Sequence, residues 1–372
     1  MMDWQNEFPQ APELCYLNHA AVAPWPQRTH DAVVHFAKEN VSWGASHYDQ
    51  WLGTERLLRT QLKQLINAPE NSDIGLVKNT SEGLSMIAYG LDWQNGDNLV
   101  ITNQEFPSNK IVWESLQGKG VEVRYADISG ADPEQAIIQL TDKNTRLVSI
   151  SSVQYGSGLK LQLDVIGNHC RDNNILYCVD AIQSIGAHKF DAQACYADFV
   201  VADGHKWMLG PEGLALFYSR KEVRDQLKVL EYGWHMVEHA GNFDRKDWSV
   251  AKSAQRFECG SPNLLAVHAL SASLSLLLEI GMNNVEKMLD ERTAHLLSKL
   301  ADMPDITLLS AQAPERRAGI VTFQHKQIPT AKLYAQLKSN KVICAPRGGG
   351  IRFSPHFYTP FSALDKALSL VS

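Results

Sequence analysis

Basic residues are in deficit. Lys and Arg number 35 against 41 Asp and Glu, for a net charge of −6, and no basic tract or aromatic-interleaved basic patch breaks the pattern. A chain of that sign does not attract a polyanion, which excludes nucleic acid as the expected partner. Cysteine is scarce as well. The six residues Cys15, Cys170, Cys178, Cys195, Cys259 and Cys344 show no C-x-x-C spacing, so reduced thiols are expected and neither a disulfide frame nor a zinc or other metal site. No apolar run approaches the ~20 residues of a membrane span, and the N-terminus lacks the charged lead and apolar core of a signal peptide. The expectation is no membrane association and a cytoplasmic location. No G-x-G-x-x-G turn is present, which excludes the dinucleotide fingerprint of a nicotinamide dehydrogenase.

What is present is length and alternation. A chain of 372 residues exceeds one ordinary domain, and two are expected. Residues 27–63 carry apolar stripes at helical spacing: Ala32, Val33, Phe36 and Ala37, then Leu57, Leu58, Leu62 and Leu65. From 76 to 218, short apolar runs alternate with helical stretches. Val100-Ile101-Thr102, Val121-Glu122-Val123, Leu147-Val148-Ser149-Ile150, the run ending at Asp180, Phe199-Val200-Val201 and Leu214-Ala215-Leu216-Phe217 read as strands. Such alternation predicts an α/β fold with a mainly parallel sheet covered on both faces. Residues 263–278 read as one helix leading to a smaller α+β domain with strands at 320–323 and 351–353. The expected organisation is an N-terminal segment 1–25 near the site, a large domain 26–262, and a linking helix with a small C-terminal domain over 263–372.

Three stretches carry chemistry. In Asp203-Gly204-His205-Lys206-Trp207-Met208-Leu209-Gly210-Pro211 a lysine lies between an apolar run and a Gly-Pro turn, where a fixed amine of lowered pKa could form a Schiff base with an aldehyde cofactor. Ile175-Leu176-Tyr177-Cys178-Val179-Asp180 reads as a buried strand whose terminal aspartate falls where α/β sheets bind ligands. Asn79-Thr80-Ser81-Glu82-Gly83-Leu84-Ser85 opens a helix with hydroxyls and free N–H groups that suit an anion. Each also has a plain structural reading: a surface lysine, a helix cap at Asp180 and a capping box at Thr80 or Ser81.

These motifs, with Phe257-Glu258-Cys259-Gly260-Ser261-Pro262-Asn263, resemble in order those of the class V aminotransferases, pyridoxal-phosphate enzymes that include cysteine desulfurases, selenocysteine lyases, isopenicillin N epimerase and kynureninase. The resemblance runs from Tyr16-Leu17-Asn18-His19-Ala20-Ala21 to Arg352-Phe353-Ser354-Pro355. It implies the fold-type I architecture, a large domain built on a seven-stranded sheet, and pyridoxal 5'-phosphate as cofactor. By the same resemblance Lys206 carries the cofactor as a Schiff base, Asp180 faces the pyridine nitrogen and Gln183 the phenolic oxygen. Thr80, Ser81 and His205 surround the phosphate. Asp203 stands where desulfurase-like members have a serine. Phe106 is the ring expected to stack on the cofactor, although direct alignment puts the desulfurase histidine at Pro107. Arg352, with Arg347 assisting, is expected to bind the substrate carboxylate, a match for the planar guanidinium, and His19 to line the substrate cleft. Ser261 is expected to reach the phosphate of a second subunit, which implies a homodimer with shared sites.

One family feature is missing. Desulfurases carry a loop with a nucleophilic cysteine before this arginine; here only Gly348-Gly349-Gly350-Ile351 separates Arg347 from Arg352, and Cys344 reads as a buried thiol. The expectation is chemistry at Cα or Cβ of an amino acid, lyase-like in preference to transamination or epimerisation. A cofactor-binding protein without catalysis is the alternative of another class.

Overall fold

The computed structural model describes residues 4–371. In chain order its elements are β1 (Cys15–Tyr16), α1 (Gln27–Trp43), α2 (Tyr48–Leu65), β2 (Ile74–Val77), α3 (Thr80–Gly90), β3 (Asn98–Thr102), α4 (Ser108–Glu114), β4 (Glu122–Ala126) and α5 (Pro133–Ile138). Next come β5 (Thr145–Ser151), α6 (Leu163–Asp172), β6 (Leu176–Asp180), β7 (Phe199–Asp203), β8 (Ala215–Ser219), α7 (Lys221–Arg224), α8 (Leu264–Ile280) and α9 (Met282–Ala301). The chain closes with β9 (Ile306–Leu308), β10 (Val321–His325), α10 (Thr330–Ser339), β11 (Val342–Ile343), β12 (Ala345–Arg347), β13 (Gly350–Phe353) and α11 (Phe361–Ser369).

Seven strands form the large sheet in the order β2-β8-β7-β6-β5-β3-β4. All neighbours from β7 to β4 run parallel, whereas β8 is antiparallel to both β7 and β2. The reason is the connection from β7 to β8, which holds the lysine motif and no crossover helix, and only antiparallel neighbours can be joined that way. Alternate residues sort onto two cores, as the two-residue period of a strand requires. Val100, Val148, Val179, Val200 and Leu216 pack with Leu58 and Leu62 of α2, Ile166 of α6 and Leu270 of α8. Leu99, Leu147, Cys178, Phe199 and Phe217 pack with Leu84 and Ile87 of α3 and Trp113 of α4.

The helix expected over 27–63 is two helices. Gly44, at φ 56°, donates its N–H to Asn40 O at 2.9 Å and ends α1, a conformation glycine adopts without a Cβ penalty. The helix after Asn263 is α8, which packs against α1 and α2 as well as leading onward. Its apolar sequence serves that burial, and no single helix among the described residues is long and apolar enough to cross a membrane.

A second, antiparallel sheet, β12-β13-β10-β9, is covered by α9, α10 and α11 around Leu297, Phe323, Leu333, Phe353 and Leu364. The N-terminal segment is stitched to this region: β1 pairs with β11, and Asn18 bridges to Ser354.

Candidate active site

From β3 the chain moves outward to β4, then returns to the other side of β3 at β5 and continues through β6 and β7. Strand order therefore reverses at β3/β5, and in α/β sheets a ligand crevice opens beyond the carboxyl ends of strands at such a point. Four segments leave those ends: Glu105–Phe106 after β3, Gln154–Tyr155 after β5, Asp180–Gln183 at β6, and Asp203–Lys206 at β7.

Lys206 is only 8% exposed. Its backbone is fixed by a sharp turn in which Leu209 N donates to Lys206 O at 3.0 Å and Gly210 N to Gly204 O at 2.8 Å, while Ala23 N donates to His205 O at 2.8 Å. Leu209 sits at φ 61°, a left-handed conformation that costs a branched residue about 1–2 kcal/mol and that the surrounding packing must enforce. Burial lowers the Lys206 pKa; the Asp180 carboxylate opposes the shift and the Arg352 guanidinium adds to it. Asp180 is buried too. Desolvation raises its pKa, the bond from Ile182 N to Oδ1 at 3.1 Å works against that, and the charge of Glu105 reinforces it.

The residues fit pyridoxal phosphate at several independent points. Gln183 Oε1 accepts from Trp207 Nε1 at 2.8 Å, which fixes the amide because indole nitrogen only donates; Nε2 donates to Ala20 O at 3.0 Å and keeps one N–H for a ring oxygen. At the N-terminus of α3, Thr80 Oγ1 is buried without a hydrogen-bond partner, as is His205 Nδ1. Orphaned buried polar atoms beside a helix N-terminus call for a polyoxygen anion. Ser81 Oγ donates to Ser108 Oγ at 2.8 Å, adding a hydroxyl the sequence did not single out. Asp203 turns its carboxylate onto the same helix end, accepting from Thr80 N at 3.3 Å with its other oxygen 3.4 Å from His205 Nδ1.

Phe106 is 39% exposed, and Lys206 Nζ lies 5.5 Å from its ring centroid. Tyr155 props that ring edge-on, with centroids 5.1 Å apart; Pro107 is the N-cap of α4. Beneath this loop the buried Glu105 accepts from Thr102 Oγ1 at 2.8 Å, Asn109 Nδ2 at 2.9 Å and Ser151 N at 3.0 Å. It pins β3, α4 and β5 together and had no signal in the sequence, because its partners come from three elements.

Arg352 is 2% exposed and donates through Nη1 to Tyr155 O at 2.8 Å, while its Nε is buried without a partner. No carboxylate pairs with it among the described residues. Burial, then the charge of Arg347, lowers its pKa to about 10. A buried guanidinium in this state is costly and matches a ligand carboxylate, which it can bind with two parallel bonds. Arg347 is exposed at the end of β12.

His19 corrects an expectation. It is 0% exposed; Nδ1 lies 2.9 Å from Ser354 O and Nε2 2.7 Å from Tyr358 Oη. The carbonyl can only accept, so Nδ1 donates and Nε2 accepts from the phenol, a neutral imidazole whose pKa burial lowers to about 4. His19 anchors the N-terminal segment and offers no ring nitrogen to a substrate. Ser261 is exposed on the turn before α8, and among the described residues no hydrogen bond joins it to the Lys206 group.

Arg347 pairs with Gly350 across β12 and β13, so the intervening turn is Gly348-Gly349 alone, at φ 59° and 84°. Two successive positive φ values define the tight hairpin turn whose twist suits antiparallel strands. A Cβ on Gly348 would lie 2.3 Å from Gly156 O. Gly348→Ala is therefore expected to lower stability by about 1–3 kcal/mol and to weaken substrate binding by moving β13; thermal unfolding and KM measured together check this.

A buried amine facing a carboxylate and an anion cradle on the carboxyl edge of the large sheet, with an unpaired guanidinium brought to Tyr155 from β13 of the second sheet, define an enzyme of the fold-type I class that handles amino acids through a carbonyl cofactor. Residues 15–351 match the family model described as aminotransferase class-V, and the chain belongs to that family, whose members use pyridoxal phosphate. It is 28% identical over 379 residues to a probable cysteine desulfurase of Methanothermobacter thermautotrophicus, covering 96% of this chain and 93% of that one. Its fold is similar to that of the cystine C-S lyase C-DES, solved with its product cysteine persulfide (TM-score 0.89, 22% identity, 98% and 99% of the two chains). The cysteine desulfurase of Thermococcus onnurineus NA1 shares the fold as well (TM-score 0.87, 22% identity, 99% and 96%).

Proposed function

We propose that the protein cleaves a carbon–sulfur bond of an amino acid by β-elimination and releases the sulfur product into solution, without parking sulfur on a cysteine of its own. The observation that carries this reading is the Gly348-Gly349 turn, closed against Gly156, where a cysteine-bearing loop would have to stand. Cys344, the nearest thiol in sequence, is 3% exposed in the small-domain core, and burial raises its pKa to about 12. Such a thiol is a poor nucleophile at neutral pH. The desulfurase and cystine lyase names among the similar proteins agree in reaction class.

When bound, the cofactor supplies an electron sink for the pair left at Cα. Arg352 binds the substrate carboxylate and thereby orients Cα. Lys206 Nζ, neutral over a wider pH range because burial lowers its pKa, accepts the Cα proton. It is then the ammonium donor beside the departing sulfur. Asp180 would hold the ring nitrogen protonated, Gln183 would offer its free N–H to the ring oxygen, and Phe106, which cannot move a proton, would serve as an apolar neighbour of the ring. Transamination and epimerisation would employ the same residues; the product decides.

The test is incubation of holoenzyme with L-cystine. Pyruvate, ammonia and cysteine persulfide are expected in equal amounts, with no persulfide on any of the six cysteines by mass spectrometry. A keto acid retaining sulfur, or D-cystine, would instead support the transaminase or epimerase reading, and no turnover of any amino acid the non-catalytic one. Cys344→Ala is expected to leave kcat within about twofold while costing about 1 kcal/mol of stability from the vacated core. Loss of activity or a persulfide at that position would overturn the proposal. A cytoplasmic location and a homodimer, with Ser261 reaching a neighbouring phosphate, complete the proposed setting.

A further inference from the structure

We infer that Trp207 is a positioning residue: braced against the second sheet, it holds the Gln183 amide so that one N–H points at the ring oxygen of the cofactor. The inference rests on the pyridoxal phosphate site and on no particular reaction, so it stands whichever bond of the amino acid is broken. Trp207 follows Lys206 in the chain and is 0% exposed. It acts through its neighbours.

The indole is held at both ends. Nε1 donates to Gln183 Oε1 at 2.8 Å, and Gln183 Nε2 donates to Ala20 O at 3.0 Å. An amide whose oxygen and one N–H are both engaged cannot rotate, so its remaining N–H has a single direction. Gln183 is itself buried, where an acceptor stripped of its partner is costly and turns to find another. The far rim of the indole meets the second sheet, in a cluster with Leu289 of α9, Ala318 and Ile320. A Cβ on Gly319 would lie 2.6 Å from Trp207 Cη2 and 2.8 Å from Leu289 Cδ2. The chain entering β10 therefore rests directly on the ring, and only a hydrogen at position 319 leaves room for it.

The main chain of Trp207 is held from the same side. Burial lowers the pKa of His356 well below the usual value, so its ring is neutral. Phe357 N donates to His356 Nδ1 at 2.8 Å, which leaves the ring proton on Nε2, and Nε2 donates to Trp207 O at 3.1 Å. Gly186, at φ 93° in the turn that follows Gln183, approaches the same carbonyl so closely that a Cβ would lie 2.2 Å from it. β10 pairs with β13 in the register Thr322 to Arg352, and His356 follows β13. The sheet that places Arg352 thus also places the indole and, through it, the hydrogen-bond donor at the cofactor. Groups locked in this way by packed neighbours keep the narrow tolerances a reacting site needs.

The test is a pH titration of the visible absorption of holoenzyme, which needs no turnover. That absorption follows the proton shared by the Lys206 nitrogen and the ring oxygen, and a donor to the oxygen favours its charged form and lowers the pH at which the proton leaves. Trp207→Phe keeps an aromatic ring and removes the donor. It is expected to raise the midpoint by about one unit, as Gln183→Met should, and the double variant should shift no further than either change alone. Gly319→Ala, whose Cβ meets the indole and Leu289 first, is expected to raise the midpoint by about half a unit and to have no effect in the Gln183→Met background. An unmoved midpoint in Trp207→Phe, or shifts that add in the double variant, would overturn the inference, since a tryptophan that only stabilises the fold does not act on this proton through Gln183. An unmoved midpoint in Gly319→Ala would overturn the part of the second sheet. If Trp207→Phe does not fold, the two Gly319→Ala titrations decide alone. The absence of any visible band in the unsubstituted protein would refute the pyridoxal phosphate site itself, a separate failure.

Discussion

Lys206→Ala is expected to lower turnover by about 10⁴-fold or more while the protein stays folded. In the proposed mechanism the amine has two duties, holding the cofactor aldehyde and accepting the Cα proton, and loss of a positioned base alone costs about 10²–10⁴-fold. The fold should tolerate the change, because a buried amine is a desolvation burden more than a support: burial is the largest influence on its pKa and acts to lower it. Two readouts separate this role from a structural one. Borohydride followed by peptide mapping should leave cofactor on the Lys206 peptide of the unsubstituted enzyme and on no peptide of the variant, and the variant should unfold at or above the original Tm. Cofactor fixed to a different lysine, or retained turnover, would refute the assignment.

Asp180→Asn should separate activity from stability. Asparagine can keep the acceptor for Ile182 N, a bond of 3.1 Å to Oδ1, but cannot hold a proton on the ring nitrogen, so turnover is expected to fall by about 10²-fold or more. The apoprotein should gain about 1–3 kcal/mol near neutral pH, since a buried charge is removed. The pH dependence carries a definite sign. The folded-state pKa of Asp180 is raised by burial and by Glu105 above an unfolded value of about 3.9. On raising the pH, the unfolded chain ionises first, so the contribution of this group to stability is complete below pH about 4 and declines as the pH climbs through the raised folded pKa. Urea titrations of apoprotein between pH 4 and 8 should show that decline, and the variant should lack it. An unchanged slope would place the ionisation elsewhere. Because the Asp180 charge opposes the lowering of the Lys206 pKa, the variant should also lower it further.

Much of this arrangement is legible in the chain. The apolar runs at 147–150, 176–180 and 199–203 are strands because residues buried on both faces of a parallel sheet must be apolar throughout. Asp180 and Lys206 converge because each follows such a run, and strand ends of one sheet lie side by side. The pair of antiparallel contacts of β8, the break at Gly44 and the burial of α8 are different in kind. Each depends on what lies across the molecule, and local pattern carries no trace of it.

The same division holds within the site. Residue types, their order along the chain and the resemblance to the class V aminotransferases marked Lys206, Asp180, the hydroxyls of Thr80 and Ser81, and Arg352 as candidates for an aldehyde, a ring nitrogen, a phosphate and a carboxylate, because those chemistries require those side chains. Tertiary structure decided the rest. It buried His19 between Ser354 and Tyr358 and out of the cleft, and gave Glu105 its partners from three elements. It also paired Arg347 with Gly350 across the Gly348-Gly349 turn and set Arg347 on the same face as Arg352. Register and long-range contact fix which side chains meet, and neither is a property of neighbours along the chain.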